Sequence, residues 1–158
     1  PRSGKRIAVI GSGPTGLSCA YHCARLGHDV TIHDAGEKPG GMMRYGIPKY
    51  RLPRDVLDAE ISLLVRMGVT FVQNAKVDDL QKLIDSERPD AVFLATGAGL
   101  SKKIEIPNWH AKKVLDAVQM LRDIEAENPP VLGRRVAVYG GGNTALDAAR
   151  SALRLGAE

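Results

Sequence analysis

One short pattern occurs twice in this chain, in one register: Gly11-Ser12-Gly13-Pro14-Thr15-Gly16 and again Gly140-Gly141-Gly142-Asn143-Thr144-Ala145. The match runs without a gap from residues 5–27 to residues 134–156. It pairs Arg6 with Arg135, Ala8 with Ala137, Val9 with Val138, Thr15 with Thr144 and Arg25-Leu26-Gly27 with Arg154-Leu155-Gly156. Each copy reads as an apolar strand, a glycine turn and a helix. In the first copy Ile7-Ala8-Val9-Ile10 precedes the turn; Leu17, Ala20, Tyr21 and Ala24 share one face of the helix after it, and Gly27 is the expected C-cap. A chain that repeats this unit is predicted to be α/β, a parallel sheet with helices, Rossmann-like in both places.

The spacing of the glycines has a chemical reason. The first allows a sharp exit from the strand, the second lets backbone approach a pyrophosphate with no Cβ in the way, and the third position packs helix against strand. A pyrophosphate seated there meets unpaired N–H groups and the positive end of a helix dipole, so no lysine is needed. A single such turn is equally an ordinary strand-to-helix connection; context and repetition favour two nucleotide ligands. Residues 29–33 form the next predicted strand, and Asp34 closes it about twenty residues past the first turn, where an acid accepts hydrogen bonds from a ribose 2′-OH. The plainer alternative is that Asp34 only opens the Asp34-Ala35-Gly36 turn.

Along the rest of the chain, residues 36–53 form a Gly- and Pro-rich loop long enough to suggest a functional role. A helix from Pro53 or Arg54 follows, with Leu57, Ile61, Leu64 and Val65 on its buried face and Gly68 at its end. Residues 69–72 read as a strand. A short helix begins near Asp78, with Leu80, Leu83 and Ile84, and Ala91-Val92-Phe93-Leu94-Ala95 reads as an apolar strand of the kind buried in a parallel sheet. The Thr96-Gly97-Ala98-Gly99 turn leads to a connector carrying Lys102, Lys103, Pro107 and Trp109, which is read as a packing residue. Val114, Ala117, Val118, Leu121 and Ile124 mark an amphipathic helix, Asn128-Pro129-Pro130 a boundary, and residues 136–139 and 144–155 the strand and helix of the second copy. The domains expected are residues 1–99, a connector over 100–130, and an unfinished second domain over 131–158.

A net charge of +4, with Lys and Arg dispersed among acids and no basic run, does not point to nucleic acid. No stretch approaches the roughly eighteen apolar residues of a membrane span, and no signal-peptide pattern opens the chain, so a cytoplasmic protein is expected. Cys19 and Cys23, four apart in the first helix, are read as packing residues rather than a redox pair. His22, His28, His33 and His110 lack metal-ligand spacing and are taken as surface or strand residues; no metal site is expected.

Taken together, the first turn, Lys38-Pro39-Gly40-Gly41-Met42, Tyr45-Gly46-Ile47-Pro48 with Tyr50-Arg51-Leu52-Pro53, Ala95-Thr96-Gly97 and the second turn resemble the FAD- and NAD(P)H-binding portion shared by the glutamate synthase small subunit, dihydropyrimidine dehydrogenase and related electron-transfer flavoproteins. The resemblance covers essentially the whole chain. It implies an FAD-binding domain followed by the start of an NAD(P)H-binding domain. Gly11, Ser12, Gly13, Pro14 and Thr15 would line the FAD pyrophosphate, and Asp34, where the family more often has Glu, the adenosine ribose. Lys38, Gly41, Met42 and Arg51 would be further FAD contacts, Val77 would lie beside the adenine, and Ala95, Thr96 and Gly97 would close over the cofactor. For Arg51 the alternative is a solvated loop cation, for Val77 a plain core residue. The second turn, through Gly140, Gly142, Asn143 and Thr144, would seat NADPH or NADH; Ala145 in its third glycine position is frequent in NADP-binding relatives.

The activity implied is hydride transfer from NAD(P)H to the flavin and release of electrons toward iron–sulfur centres, carried by a larger catalytic subunit or a fused domain. The protein's part is mainly to position the rings, so the lack of a nucleophilic or paired-carboxylate constellation does not count against an enzyme, and no residue of this chain is assigned as catalytic. The residue selecting NADP over NAD is expected beyond residue 158, and the chain alone is expected not to turn over. Two rival readings are a nucleotide-binding regulatory or assembly module without catalysis and a dehydrogenase with one nicotinamide cofactor; the second turn and the loop over residues 40–53 argue against the latter.

Overall fold

The apolar run that precedes the first glycine turn becomes the centre of the sheet. In the computed structural model, which describes residues 2–99, 107, 108, 111 and 113–158, β1 (Arg6–Ile10) pairs in parallel with β2 (Asp29–His33) on one side and with β4 (Ala91–Leu94) on the other. β2 in turn pairs with β3 (Thr70–Val72), giving the order β3-β2-β1-β4. The chain therefore leaves β1 toward β2 and β3, then crosses back to place β4 on β1's free edge. The carboxyl ends of β1 and β4 meet at this reversal of direction, the position where open α/β sheets bind ligands.

Helices cover the sheet between strands. α1 (Pro14–Arg25) starts directly from the glycine turn and buries Leu17 and Ala20 against Val9, Val30 and Ile32. A single turn, α2 (Met42–Tyr45), interrupts the long loop, which the sequence pattern left without structure because four residues carry no readable period. α3 (Arg54–Arg66) adds Leu57, Ile61 and Leu64 to the same core. α4 (Leu80–Glu87) lies with the smaller cluster of Ala8, Ile10 and Leu83. By its contacts the chain divides into two compact units, Pro1–Met43 with Pro53–Gly97, and Arg44–Leu52 with Ala98–Glu158. In the second, α5 (Ala117–Glu125) packs on α6 (Asn143–Arg154), burying Met120, Leu121, Ala148 and Ala152.

Several expectations are corrected. Val65 is 56% exposed, although it was placed on the buried face of its helix. At 100° per residue Val65 sits at the margin of the stripe centred on Leu57, Ile61 and Leu64, and only the centre reaches the sheet. β4 is an edge strand rather than a buried one, leaving Phe93 and Leu94 39% and 60% exposed. Residues 136–139 are not a strand, and Val138 and Tyr139 are exposed. A parallel strand exists only through a neighbour's ladder, and among the described residues this unit supplies none. α5 begins at Ala117, not near Val114, because the Asp116 side chain accepts a hydrogen bond from the Gln119 N–H at 2.9 Å and so caps the helix there. Trp109, His110, Lys102 and Lys103 lie outside the described residues.

Ile61→Ala is expected to cost about 2–5 kcal/mol of stability by opening a cavity in the core, and Val65→Ala to stay within about 0.5 kcal/mol. Urea unfolding of the two variants tests this; equal losses would mean that Val65 is buried after all.

Candidate functional site

The glycine turn is built by close backbone packing. Gly11 has φ +106°, and a Cβ there would collide with the Ala95 carbonyl oxygen at the end of β4. Gly41 has φ +52°, and its Cβ would lie 2.7 Å from the Gly13 Cα. The loop thus lies backbone to backbone on the turn, fixed by the Gly40 N–H donating to the Ser12 carbonyl oxygen at 3.0 Å. Side chains are excluded from this surface at Gly11 and Gly41.

The start of α1 carries no side-chain cap. Its N-cap is Gly13, with no side-chain hydrogen bond, Pro14 occupies the first position, and no acid stands in the first turn. The first helical bond runs from the Leu17 N–H to the Gly13 carbonyl, so the N–H groups of Thr15 and Gly16 have no partner within the helix. α6 repeats the arrangement, with Gly142 as an uncapped N-cap, no acid in its first turn and its first bond from the Leu146 N–H to the Gly142 carbonyl. By contrast, α4 and α5 are each capped by an aspartate, Asp79 accepting from the Lys82 N–H and Asp116 from that of Gln119, and α3, whose N-cap Pro53 makes no side-chain bond, carries the acid Asp55 in its first turn. Gly140 has φ +132°, matching Gly11 in sign, and Asn143 and Thr144 open α6 on an exposed surface.

Asp34, half-buried beside the turn, uses both oxygens of its carboxylate. Oδ2 accepts from the Ser12 N–H at 2.5 Å and from the Ser12 hydroxyl at 2.7 Å, while Oδ1 accepts from the Gly36 N–H at 2.7 Å. The turn-forming alternative weighed for Asp34 is therefore present in the structure, together with a clamp on the glycine turn that sequence reasoning missed. Oδ2 already accepts two bonds, while Oδ1 accepts one and has a further lone pair, so a hydroxyl donor remains compatible there.

The structure brings Gly11, Ser12, Gly13, Asp34, Gly41 and Ala95 together around one turn, with Pro14 and Thr15 as the first residues of α1. Lys38 and Met42 are exposed in the following loop, and Thr96 and Gly97 are exposed beyond β4. The Val77 side chain packs with Leu80 and Val92 against Ala8, Ile10 and Leu83, the core role weighed as its alternative. Arg51 belongs to the second unit. Its Nη1 lies 2.7 Å from Oδ2 of Asp147, an acid only 3% exposed on the inner face of α6. Asp147 was not singled out from the sequence; the available signal was a charged residue in register with the small buried residues Ala148, Ser151 and Ala152.

Cys19 and Cys23 are free thiols with their sulfurs 3.9 Å apart. Burial, and then the neighbouring Cys23, push the Cys19 thiol from 9.0 up to about 11. Neutral Cys19 is therefore favoured by folding: the stability this adds is complete below pH 9.0 and is lost as pH rises toward about 11. Cys19 in the native protein is expected to react with iodoacetamide at about one-hundredth the rate of an unshifted thiol, because its thiolate fraction falls by that factor. Mass-spectrometric timing of Cys19 alkylation checks this, and labelling as fast as in urea would refute it. Among the described residues no group of three His, Cys, Asp or Glu side chains is arranged to hold a metal ion, and no helix is long and apolar enough to cross a membrane.

A model of the pyridine nucleotide-disulphide oxidoreductase family matches residues 5–158. The chain belongs to this family. Among members of known name, it is 45% identical over 159 residues to the NADP(+)-dependent formate dehydrogenase subunit beta of Moorella thermoacetica, a match covering 98% of this chain and 22% of that protein. It is 34% identical over 164 residues to the glutamate synthase [NADPH] small chain of Bacillus subtilis, covering 97% of this chain and 33% of that one. The resemblance to glutamate synthase small subunits thus holds. Among solved structures, FprA from Mycobacterium tuberculosis in complex with NADPH superposes with a TM-score of 0.81 at 25% identity, over 93% of this chain and 36% of FprA. This pyridine nucleotide-disulphide oxidoreductase chain spans between 22% and 36% of the length of these three proteins.

Proposed function

We propose that this chain supplies the FAD-binding unit and the opening of the NAD(P)H-binding unit of a flavoprotein oxidoreductase. The observation that carries this is the contrast in helix starts. The two helices that follow glycine turns have neither a side-chain cap nor an acid in the first turn, while α4 and α5 are capped by Asp79 and Asp116 and the uncapped α3 carries Asp55 in its first turn. Two anions of dinucleotide type fit two such seats, and the cradle formed by Gly13 and Gly41 fits a pyrophosphate laid on bare backbone. The relatives named for NADP(+) and NADPH support a nicotinamide ligand at the second turn.

Bound FAD would supply the hydride acceptor and the means to release electrons singly. The residues of this chain bind and orient. Gly11, Ser12 and Gly13 offer backbone to the flavin dinucleotide's pyrophosphate, Pro14 and Thr15 begin the helix whose dipole favours it, and Asp34 accepts from the ribose while holding the turn through Ser12. Lys38, Met42, Thr96 and Gly97 border this cradle, with Val77 supporting it from the core. Gly140, Gly142, Asn143 and Thr144 seat the pyrophosphate of NADPH or NADH. Electrons would then leave toward iron–sulfur centres in a larger catalytic subunit or fused domain, as in an enzyme of the glutamate synthase small-chain kind.

An anaerobic absorption spectrum of the full-length protein, before and after NADPH and then NADH, tests the reading. Flavin bands bleached by one nicotinamide are expected and identify the donor. Flavin indifferent to both would favour a binding module without catalysis, and the absence of flavin would overturn the assignment of the first turn.

A further inference from the structure

Cys19 and Cys23 take no part in the nucleotide seats. They are the two cysteines of this sequence, both free thiols, four residues apart on α1 and so on one face of it. Half-buried, they pack against the core that contains Val9, Leu17 and Ala20. The helix holds their sulfurs 3.9 Å apart.

That spacing decides between the two reactions open to a pair of thiols. A disulfide needs its sulfurs at about 2.05 Å, so the pair would have to close by about 1.9 Å while the helix keeps the two Cβ vectors parallel. An ion set between the sulfurs asks for much less. With metal–sulfur bonds of about 2.3 Å, the present separation gives a sulfur–metal–sulfur angle of about 116°, and even a linear arrangement would part the sulfurs by only about 0.7 Å more.

The ligand set then decides which ion. Among the described residues no third His, Cys, Asp or Glu joins the pair. Zinc in a closed site takes four protein ligands, and magnesium, calcium and manganese take oxygen. Two thiolates at the edge of an apolar core suit a soft ion that is content with few ligands, and copper(I) is such an ion.

We propose that Cys19 and Cys23 form a two-sulfur site for a soft cation of the copper(I) class. On binding, two S–H bonds break, two S–Cu bonds form and both protons pass to solvent; the copper stays Cu(I), so no oxidant takes part. The site adds to the packing role read from the sequence and is independent of the flavin and nicotinamide assignments.

The test uses the full-length protein, held anaerobically with ascorbate and titrated with copper(I) supplied as its bicinchoninate complex. Loss of that complex's colour counts the ions captured. Cys19→Ser and Cys23→Ser are each expected to capture one copper equivalent fewer than the wild type, and the double variant also one fewer, because the two sulfurs hold a single ion. A second readout needs no variant. No Lys or Arg lies between Arg6 and Arg25, so trypsin releases both cysteines on one peptide, residues 7–25, whatever other cysteines the full-length protein carries. Bound copper should slow iodoacetamide labelling of both residues in the native protein by at least about tenfold, because a metal-held thiolate is no longer a free nucleophile. Equal capture by the wild type and both variants, or labelling unchanged by copper, would overturn the proposal. A loss confined to one variant would mean an ion held by a single thiol and would overturn it equally. So would a disulfide on the 7–25 peptide after exposure to air, with no copper captured there.

Discussion

Gly11→Ala should yield protein without flavin and with its first unit destabilised by about 4 kcal/mol. The estimate joins two costs: an L-residue forced to φ +106° at about 1–3 kcal/mol, and a Cβ driven into the Ala95 carbonyl at a further ~1–3 kcal/mol. Neither can be relieved locally, because the Ala95 N–H donates to the Ile10 carbonyl oxygen and the Gly11 N–H to that of His33, so both ends of the collision are fixed to the sheet. Thermal unfolding with flavin absorbance in parallel measures both effects. The equivalent change at Gly140, where a Cβ would meet the Ala145 Cβ at a tolerable 3.4 Å, should cost less in stability. Equal losses at the two glycines would refute the argument from packing.

Asp34→Asn should cost about 2–3 kcal/mol, within the range for charge-assisted hydrogen bonds, and weaken flavin retention. Both Asp34 oxygens accept, Oδ2 from Ser12 and Oδ1 from the Gly36 N–H. An asparagine has one accepting and one donating end, so whichever way the amide turns, an N–H faces an N–H. Asp34→Glu keeps both acceptors on a longer arm and should retain more flavin than Asp34→Asn. Flavin binding by Asp34→Asn equal to wild type would show that the carboxylate's charge is dispensable at the turn.

What was legible in the sequence follows from how far apart the deciding residues lie. β1, α1 and β2 could be read because each is specified by its own pattern: four apolar residues, a glycine turn, a helical stripe and a second short strand. The edge position of β4 was not legible. Its composition is that of a central strand, and only the sheet order leaves Phe93 and Leu94 uncovered. The unformed strand over residues 136–139 fails for the same reason, since pairing is decided by a neighbour and not by the run itself. The turn residues of the site were legible because backbone approach demands glycine. The partnership of Arg51 with Asp147 was not, because its halves stand 96 residues apart. The three hydrogen bonds that the Asp34 carboxylate accepts from the protein itself were not legible either, since Ser12 lies 22 residues away.

The division of the chain has a consequence for how such proteins can be recombined. The first unit is assembled from two separated pieces, and the stretch Arg44–Leu52 between them is built into the second. Neither unit can therefore be excised or exchanged as one uninterrupted stretch of gene. A chimera that takes α6 from one parent and Arg44–Leu52 from another pairs an inherited acid with a foreign loop, so Asp147 and Arg51 have to be inherited together.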